Sequence, residues 1–346
     1  MRICFFARVD EDALTKVGFY VDDIRILREL GHEVVIATAA HRIPWDCDLY
    51  VGWWFTSGIA PLAVAKLCGK PSITIGPIHY HDKMFGYRTR ALCIRAAIRC
   101  TLRYTDAAVV DSKIEYSGAQ ELGARNLYMI YHGLSTPAEA RPRSRRTPVV
   151  LSIGHLGRGG VARKGFDNVI RAIPLVTHRV PDARFVFAGT IGSGFYLDKL
   201  AASIGVSDRV SFPGRIKNQA RDELLQSAMV LAQPSAYEGF GLAQLEAMGA
   251  GLPVVTSPVG AVPEVVGDAG LYCNKDSVVD IAAQIISVLE DAIVWNRLSR
   301  MGRERATSLF TYEARKVKVQ QVIEDVMSST SRVNRERQNG RAPAMS

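Results

Sequence analysis

No two of the six cysteines (Cys4, Cys47, Cys68, Cys93, Cys100 and Cys273) form a CxxC pair. A zinc knuckle and a disulfide framework are thereby excluded as organising features, and a reducing compartment fits the pattern. No apolar run reaches the ~18 residues that a membrane-crossing helix needs. The opening "MRICFFARV" is broken too soon by "DED" to act as a signal peptide, so the expectation is a cytosolic protein. No G-x4-G-K-[ST] phosphate loop and no internal repeat occur. The aromatics do not interleave with the basic residues, which argues against nucleic acid as a partner. Two acidic triplets, Asp10–Asp12 and Asp46–Asp48, imitate a D-x-D metal site but stand in no fitting context, so no metal is expected.

What is present is ordinary in amount and informative in order. With 346 residues the chain is long for one hydrophobic core, and two domains are expected. The formal charge of +9 suits acidic partners such as phosphorylated substrates or an anionic membrane surface. Along residues 1–137, short β-branched runs ("ICFFARV", "EVVIAT", "LYVGWW", "PSITIG", "AAVVDS", "LYMIYHG") alternate with helical stretches. That rhythm predicts a parallel sheet covered by helices. Residues 138–148 lie in a stretch rich in proline and arginine with no apolar period, which predicts a linker. The rhythm restarts at "VVLSIG" and runs through residues 149–311. A closing helix is expected over 312–327, packing back on the first domain, and a disordered basic tail over 328–346. The fold class is therefore α/β, with two Rossmann-like, doubly wound parallel-sheet domains and a cleft between them.

Two segments carry chemistry. "QPSAYEGFGLAQLEAMGAGLPVVTS", residues 233–257, reads as loop, short helix, loop and buried strand. Gly239 and Gly241 permit a tight turn, and a helix starting near Gly241 offers free N–H groups and a positive dipole end to a diphosphate. Glu238 and Glu246 flank that position and can accept hydrogen bonds from hydroxyls on either side, the layout of a nucleotide sugar. The other reading of Glu246 is a carboxylate that complements the helix dipole. "GRGGVARKGFD", Gly157 to Asp167, follows the first strand of the second domain. From such a loop Arg158 and Lys164 can neutralise a diphosphate, while the plainer reading is a surface loop with solvated charges. A basic helix over roughly 86–103 carries Arg88, Arg95, Arg99 and Arg103 in one stripe. This stripe reads as a dock for anionic lipid or a lipid-diphosphate acceptor, or as a solvated helix face.

Together these segments resemble glycosyltransferase family 4, retaining enzymes of the two-domain GT-B fold. The likeness covers nearly the whole second domain, through "RFVFAGT", "DRVSFPGRI" and above all the E-x7-E element from Glu238 to Glu246 with "EGFG" and "EAMGAGLPVV". It implies that Glu238 contacts the donor sugar and that Glu246 holds the ribose hydroxyls. The backbone of Phe240, Gly241 and Leu242 then meets the sugar and phosphates, and Arg158 and Lys164 bind the diphosphate. In the first domain "GFYVDDIRILRELGHEVVIAT" resembles the family more loosely. Gly18 is then the residue whose backbone approaches the donor phosphate, unless it serves only as a helix N-cap. The family's histidine near the donor sugar corresponds to His79 or His81, of which His79 is favoured. An asparagine-glycine pair of the family is replaced by His132-Gly133.

The resemblance implies transfer of a sugar from a nucleotide diphosphate sugar to a glycan, lipid-linked or small-molecule acceptor, with retention and without a metal or other cofactor. The paired glutamates are not expected to act as a glycosidase acid and nucleophile. Two rivals stay open: a sugar-nucleotide epimerase of similar fold, which needs acid/base residues, and a catalytically silent partner subunit. The expected location is cytoplasmic, with peripheral association at the inner face of the membrane.

Overall fold

The computed structural model describes residues 1–135, 137–216 and 218–339. The chain divides into two compact units, Met1–Gly133 joined by the segment from Tyr312 onward, and Leu134–Thr311. The first unit contains β1 (Arg2–Ala7), α1 (Glu11–Lys16), α2 (Gly18–Glu29), β2 (Glu33–Ala37), β3 (Leu49–Trp53), α3 (Ile59–Leu67), β4 (Ser72–Ile75), α4 (Leu92–Tyr104), β5 (Ala107–Val110), α5 (Lys113–Glu121) and β6 (Leu127–Met129). The second contains β7 (Val149–Ile153), α6 (Arg158–Lys164), α7 (Phe166–Arg179), β8 (Arg184–Ala188), α8 (Leu197–Ser203), β9 (Val210–Gly214), α9 (Asn218–Ser227), β10 (Val230–Gln233), α10 (Leu242–Gly249), β11 (Val254–Thr256), α11 (Val262–Val266), β12 (Leu271–Tyr272), α12 (Val278–Glu290) and α13 (Ala292–Leu309). The chain then returns to the first unit as α14 (Tyr312–Asn339).

Both sheets are parallel, with strand orders β2-β1-β3-β4-β5-β6 and β12-β11-β10-β7-β8-β9. The near-continuous apolar strands follow from burial on both faces: β3, β4, β5 and β10 are buried along their whole length. Each order reverses once, between β1 and β3 in the first unit and between β7 and β10 in the second. Loops leaving the two strands at such a point run to opposite faces of the sheet and open a crevice at the carboxyl ends.

Three boundaries differ from the sequence expectation. Residues 138–148 belong to the second unit instead of linking two domains. Arg146 is buried and donates to the carbonyls of Leu225, Ala228 and Ala250, and burial pushes its guanidinium down to about 10. Arginines that satisfy helix-end carbonyls leave no apolar period to read. The basic helix begins at Leu92, because the backbone at Arg90 and Ala91 is extended, and a short 3-10 turn, Tyr87–Thr89, precedes it. Residues 328–339 continue α14, with the Thr330 and Ser331 hydroxyls bonded to the carbonyls of Val326 and Met327. Arg, Glu and Gln have high helix propensity, which offsets the lack of an apolar period in the sequence there. Residues 340–346 of the expected tail lie outside the described residues.

α14 is held to the rest of the first unit by an apolar stripe, a buried ion pair and an outer pair between Lys316 and Glu29 at 2.6 Å. Tyr312, Val319, Val322, Ile323 and Val326 recur at helical spacing and are buried in the core formed with Phe5, Leu27, Ile73, Ile75 and Val109. Each buried aliphatic side chain contributes about 1.5–3 kcal/mol. Arg315, 3% exposed, pairs with Asp23 at 2.7 Å and donates to the carbonyls of Ile130 and Tyr131. Trp53 Nε1 completes the site by donating to Asp23 at 2.9 Å. Arg315→Ala leaves a buried carboxylate without its cation and is expected to cost about 3–5 kcal/mol. Urea unfolding should show a larger loss for this variant than for Asp23→Ala/Arg315→Ala; equal losses would show that the charge pairing is immaterial.

Candidate active site

The second unit assembles its polar centre where its strand order reverses. The segment after β7 forms α6, and the segment after β10 forms the turn that opens α10. Gly165, with φ +68°, ends α6 and begins α7; a Cβ there would lie 2.2 Å from the Pro234 carbonyl oxygen. Only glycine permits that backbone contact. A second link is made by the Ala236 amide, which donates to Arg163 at 2.7 Å. Lys164, the last residue of α6, is thereby brought against Glu238: its Nζ donates to Oε1 at 2.7 Å and to Oε2 at 2.8 Å. The expected loop over Gly157–Asp167 is thus a helix, closed by a left-handed glycine and anchored by buried Val161.

Glu238 is 4% exposed and also accepts from Ser235 Oγ at 2.7 Å and Gln244 Nε2 at 3.4 Å. Burial opposes its ionisation, but Lys164, Ser235 and Arg163 outweigh that penalty and hold the carboxyl below the usual range. The main chain of Glu238 is fixed too. Its carbonyl accepts from Ala261 at 3.0 Å, and a Cβ on Gly260 would come within 2.0 Å of that oxygen. Gly241 caps α10 with φ +103°, and the first helical bond runs from Leu245 N to Gly241 O. The amides of Leu242, Ala243 and Gln244 therefore have no acceptor within the helix, leaving a donor cluster at its positive end. Phe240 is buried, its ring edge-on to Phe310 at 5.8 Å, so only its backbone is offered to a ligand. Glu246 sits one turn into α10 and accepts from Arg221 Nη1 at 3.0 Å. Arg158 begins α6 and is exposed, with its amide on the Ser193 carbonyl; it is not drawn into the Lys164–Glu238 pair.

In the first unit His79 adopts a left-handed backbone, φ +54°, over the carboxyl end of β4. Buried Glu115 accepts from the amides of Ile78 at 2.7 Å and His79 at 2.8 Å, and its other oxygen lies 3.5 Å from His79 Nδ1. His81 is exposed, so His79 is the histidine that the fold holds. Gly18 is the first residue of α2, with Val17 at the cap position. His132, in place of the family's asparagine, pairs with Asp111 at 3.3 Å and stacks on Trp53. Of the four stripe arginines only Arg99 and Arg103 present an exposed helix face. Arg88 precedes the helix and lies over Tyr80, and Arg95 is half-buried over Tyr87. Asp46 and Asp48 are engaged by Arg2, and among the described residues no three metal-ligating side chains converge.

Sequence reasoning missed Ser235, Gln244, Arg221 and Glu115. Ser235 and Gln244 lie inside the quoted motif and could have been found as hydrogen-bonding groups beside a carboxylate. Arg221 and Glu115 reach their partners across 25 and 36 residues and leave no local signal.

Two parallel α/β units, with the polar centre at the strand-order reversal of the second, have the fold of the GT-B enzymes. Sucrose-phosphate synthase from Thermosynechococcus elongatus matches with a TM-score of 0.78 at 19% identity, over 95% of this chain and 100% of that one. Residues 138–305 match the family Glycosyl transferases group 1. An MMP alpha-(1->4)-mannosyltransferase of Mycolicibacterium hassiacum is 30% identical over 288 residues, 81% of this chain and 62% of that protein. A GDP-mannose-dependent monoacylated alpha-(1-6)-phosphatidylinositol monomannoside mannosyltransferase of Corynebacterium glutamicum is 33% identical over 178 residues, 48% of this chain and 44% of that protein. The chain spans 36% to 62% of the length of the first curated relatives it matches.

The lowered Glu238 pKa means that the pair stabilises the fold above the ordinary carboxylate range and ceases to do so as acidification passes below it. Lys164→Ala should cost about 3 kcal/mol at pH 8, because the buried carboxylate loses its cation. That loss should shrink towards pH 5 as Glu238, its pKa now raised, takes up a proton. Urea unfolding at the two pH values reads this directly, and a pH-independent loss would refute the assignment.

Proposed function

We propose that this protein is a retaining, metal-independent glycosyltransferase that moves a sugar from a nucleotide diphosphate sugar to an acceptor hydroxyl of a glycan, lipid-linked sugar or small molecule. The observation that carries the reading is the buried Lys164–Glu238 pair beside the open amides of α10. One pole offers positive charge to a diphosphate, and the other offers a carboxylate to sugar hydroxyls. The match to the group 1 family and a GDP-mannose-dependent relative support the same donor class.

In this mechanism Lys164, Arg158 and the amides of Leu242–Gln244 stabilise the diphosphate as its bond to the anomeric carbon breaks. Glu238 holds the donor sugar and Glu246 the ribose hydroxyls. The acceptor oxygen bonds to the anomeric carbon on the same face, through an oxocarbenium-like state, and its proton passes to the leaving phosphate oxygen. A glycosidase role does not suit Glu238, whose both oxygens are engaged by Lys164. Lys164, Arg158 and the helix end together supply the positive charge that a divalent metal provides elsewhere.

We further assign the protein to the cytoplasmic face of an anionic membrane. Leu92 is 78% exposed, Met84 and Phe85 are nearly half exposed, and Arg99 and Arg103 present charge on the helix that follows. Apolar side chains beside exposed arginines match an anionic headgroup layer.

Glu238→Ala is expected to lower kcat/KM at least 100-fold while the folded protein still binds nucleoside diphosphate, measured by release of UDP or GDP from the matching sugar nucleotide. Activity should persist in EDTA; loss in EDTA with recovery on adding magnesium would overturn metal independence. Absence of nucleoside diphosphate release with every sugar nucleotide would leave the silent-subunit reading in its place, and unchanged release in both Glu238→Ala and Lys164→Ala would remove these residues from the mechanism. Arg99→Glu/Arg103→Glu should reduce co-sedimentation with phosphatidylglycerol vesicles at least tenfold, and undiminished binding would remove the membrane assignment.

A further inference from the structure

The first unit has a counterpart to the Lys164–Glu238 centre, at its own strand-order reversal between β1 and β3. There the residue that leaves β3 is Trp54, and its indole Nε1 donates to the hydroxyl of Tyr20, on α2, at 2.6 Å. Both units thus bridge the reversal with side-chain hydrogen bonds. In the second unit these join charges; in the first they join aromatic rings.

Trp54 is also strained. With φ +70° it is one of only two non-glycine residues in the left-handed region among the described residues, and the other is His79, past the end of the neighbouring strand β4. Its backbone is held there from both sides: its amide donates to Ile75 at 2.8 Å, and its carbonyl accepts from Ser57 at 3.1 Å and Gly58 at 2.8 Å. A large residue kept in a conformation that suits glycine indicates that the side chain is needed where it stands. Phe19 meets Trp54 at 6.3 Å with an interplanar angle of 84°, and both rings are half-buried, so the pair forms a right-angled step. Beneath it Phe19 packs on Trp53 at 4.8 Å and His132 stacks on Trp53 at 6.3 Å.

We propose that this step is the acceptor site and that it takes a neutral pyranose ring. The inference rests on the glycosyltransferase reading given above. The carboxylates near the step are already committed, Asp23 to Arg315 and Trp53, and Asp111 to His132, so neither is left to attract a cationic ligand. Perpendicular rings do not sandwich a flat base. They fit a puckered ring whose axial C–H groups lie on one aromatic face while its rim abuts the second. Because the indole N–H is spent on Tyr20, Trp54 contributes its ring as an apolar surface.

Two variants separate recognition from folding. Trp54→Gly removes the ring and supplies the residue that adopts φ +70° without strain, so the fold should be retained. Trp54→Phe keeps an aromatic face and loses the bond to Tyr20. The full chain is examined by saturation-transfer NMR with methyl α-D-glucopyranoside, methyl α-D-mannopyranoside and methyl α-D-galactopyranoside, with UDP and GDP binding followed separately by thermal shift. The expected result is ring C–H saturation by at least one glycoside, reduced at least fivefold in Trp54→Gly and largely kept in Trp54→Phe, with the nucleotide response unaltered. Glycoside signals that are absent, or equal in wild type and Trp54→Gly, overturn the proposal. A nucleotide response lost in Trp54→Gly also overturns it, by assigning the step to the donor. A wild-type protein that binds glycoside but neither nucleotide refutes the glycosyltransferase reading instead, and with it the role of the step as an acceptor site.

Discussion

The second unit is organised around one awkward group, the buried carboxylate of Glu238. A charge so deep in the protein requires a counter-ion and further donors, and these come from separate segments. Lys164 arrives from the helix after β7, Ser235 from the end of β10, and Gln244 from the first turn of α10. For these to meet, main chains must approach more closely than a Cβ allows, as at Gly165 against Pro234 and at Gly260 against Glu238 itself. The glycines of this region are the geometric cost of placing that carboxylate, and the positions of α6 and α10 follow from it.

The two units show how one topology is given different uses. Parallel sheets that reverse their strand order create a crevice whatever their sequence, so location comes from the fold and chemistry from a few side chains. The second unit furnishes charge and open amides. The first furnishes tryptophan, tyrosine and phenylalanine, over the carboxylates of Asp23 and Asp111, which are answered within the fold. Glu115 and Glu238 make a related contrast: both are buried, yet Glu115 is answered by two main-chain amides and serves to hold the turn at His79, whereas Glu238 is answered by a lysine side chain.

Much of this was legible in the sequence, for identifiable reasons. Parallel strands are buried on both faces and so stand out as apolar runs. The E-x7-E segment was legible because its turn, helix and strand are contiguous, and the local glycines mark the close approaches. The boundary at Leu134 was not legible, since Arg143 and Arg146 look like solvated linker charges until their carbonyl partners 79 to 146 residues away are known. The extent of the basic helix was misread for a related reason. Arg88 and Arg95 have helical spacing, but their stacking on Tyr80 and Tyr87 depends on a turn that periodicity does not register. The aromatic step was invisible because "GFY" and "WW" lie on different elements, and neither pair alone distinguishes core from surface.

The return of α14 to the first unit has a consequence for the order in which the molecule is made. Residues 134–311 form an uninterrupted stretch and contain every partner of the Glu238 centre. The first unit, although synthesised earlier, lacks the cation for Asp23 and the apolar cover over Phe5, Ile73 and Val109 until Arg315 and the valines after it have left the ribosome. The half of the protein that is translated first is therefore the half that is completed last. During that interval its sheet has an open apolar face, and the nascent chain depends on the remaining helix, or on a chaperone, to cover it.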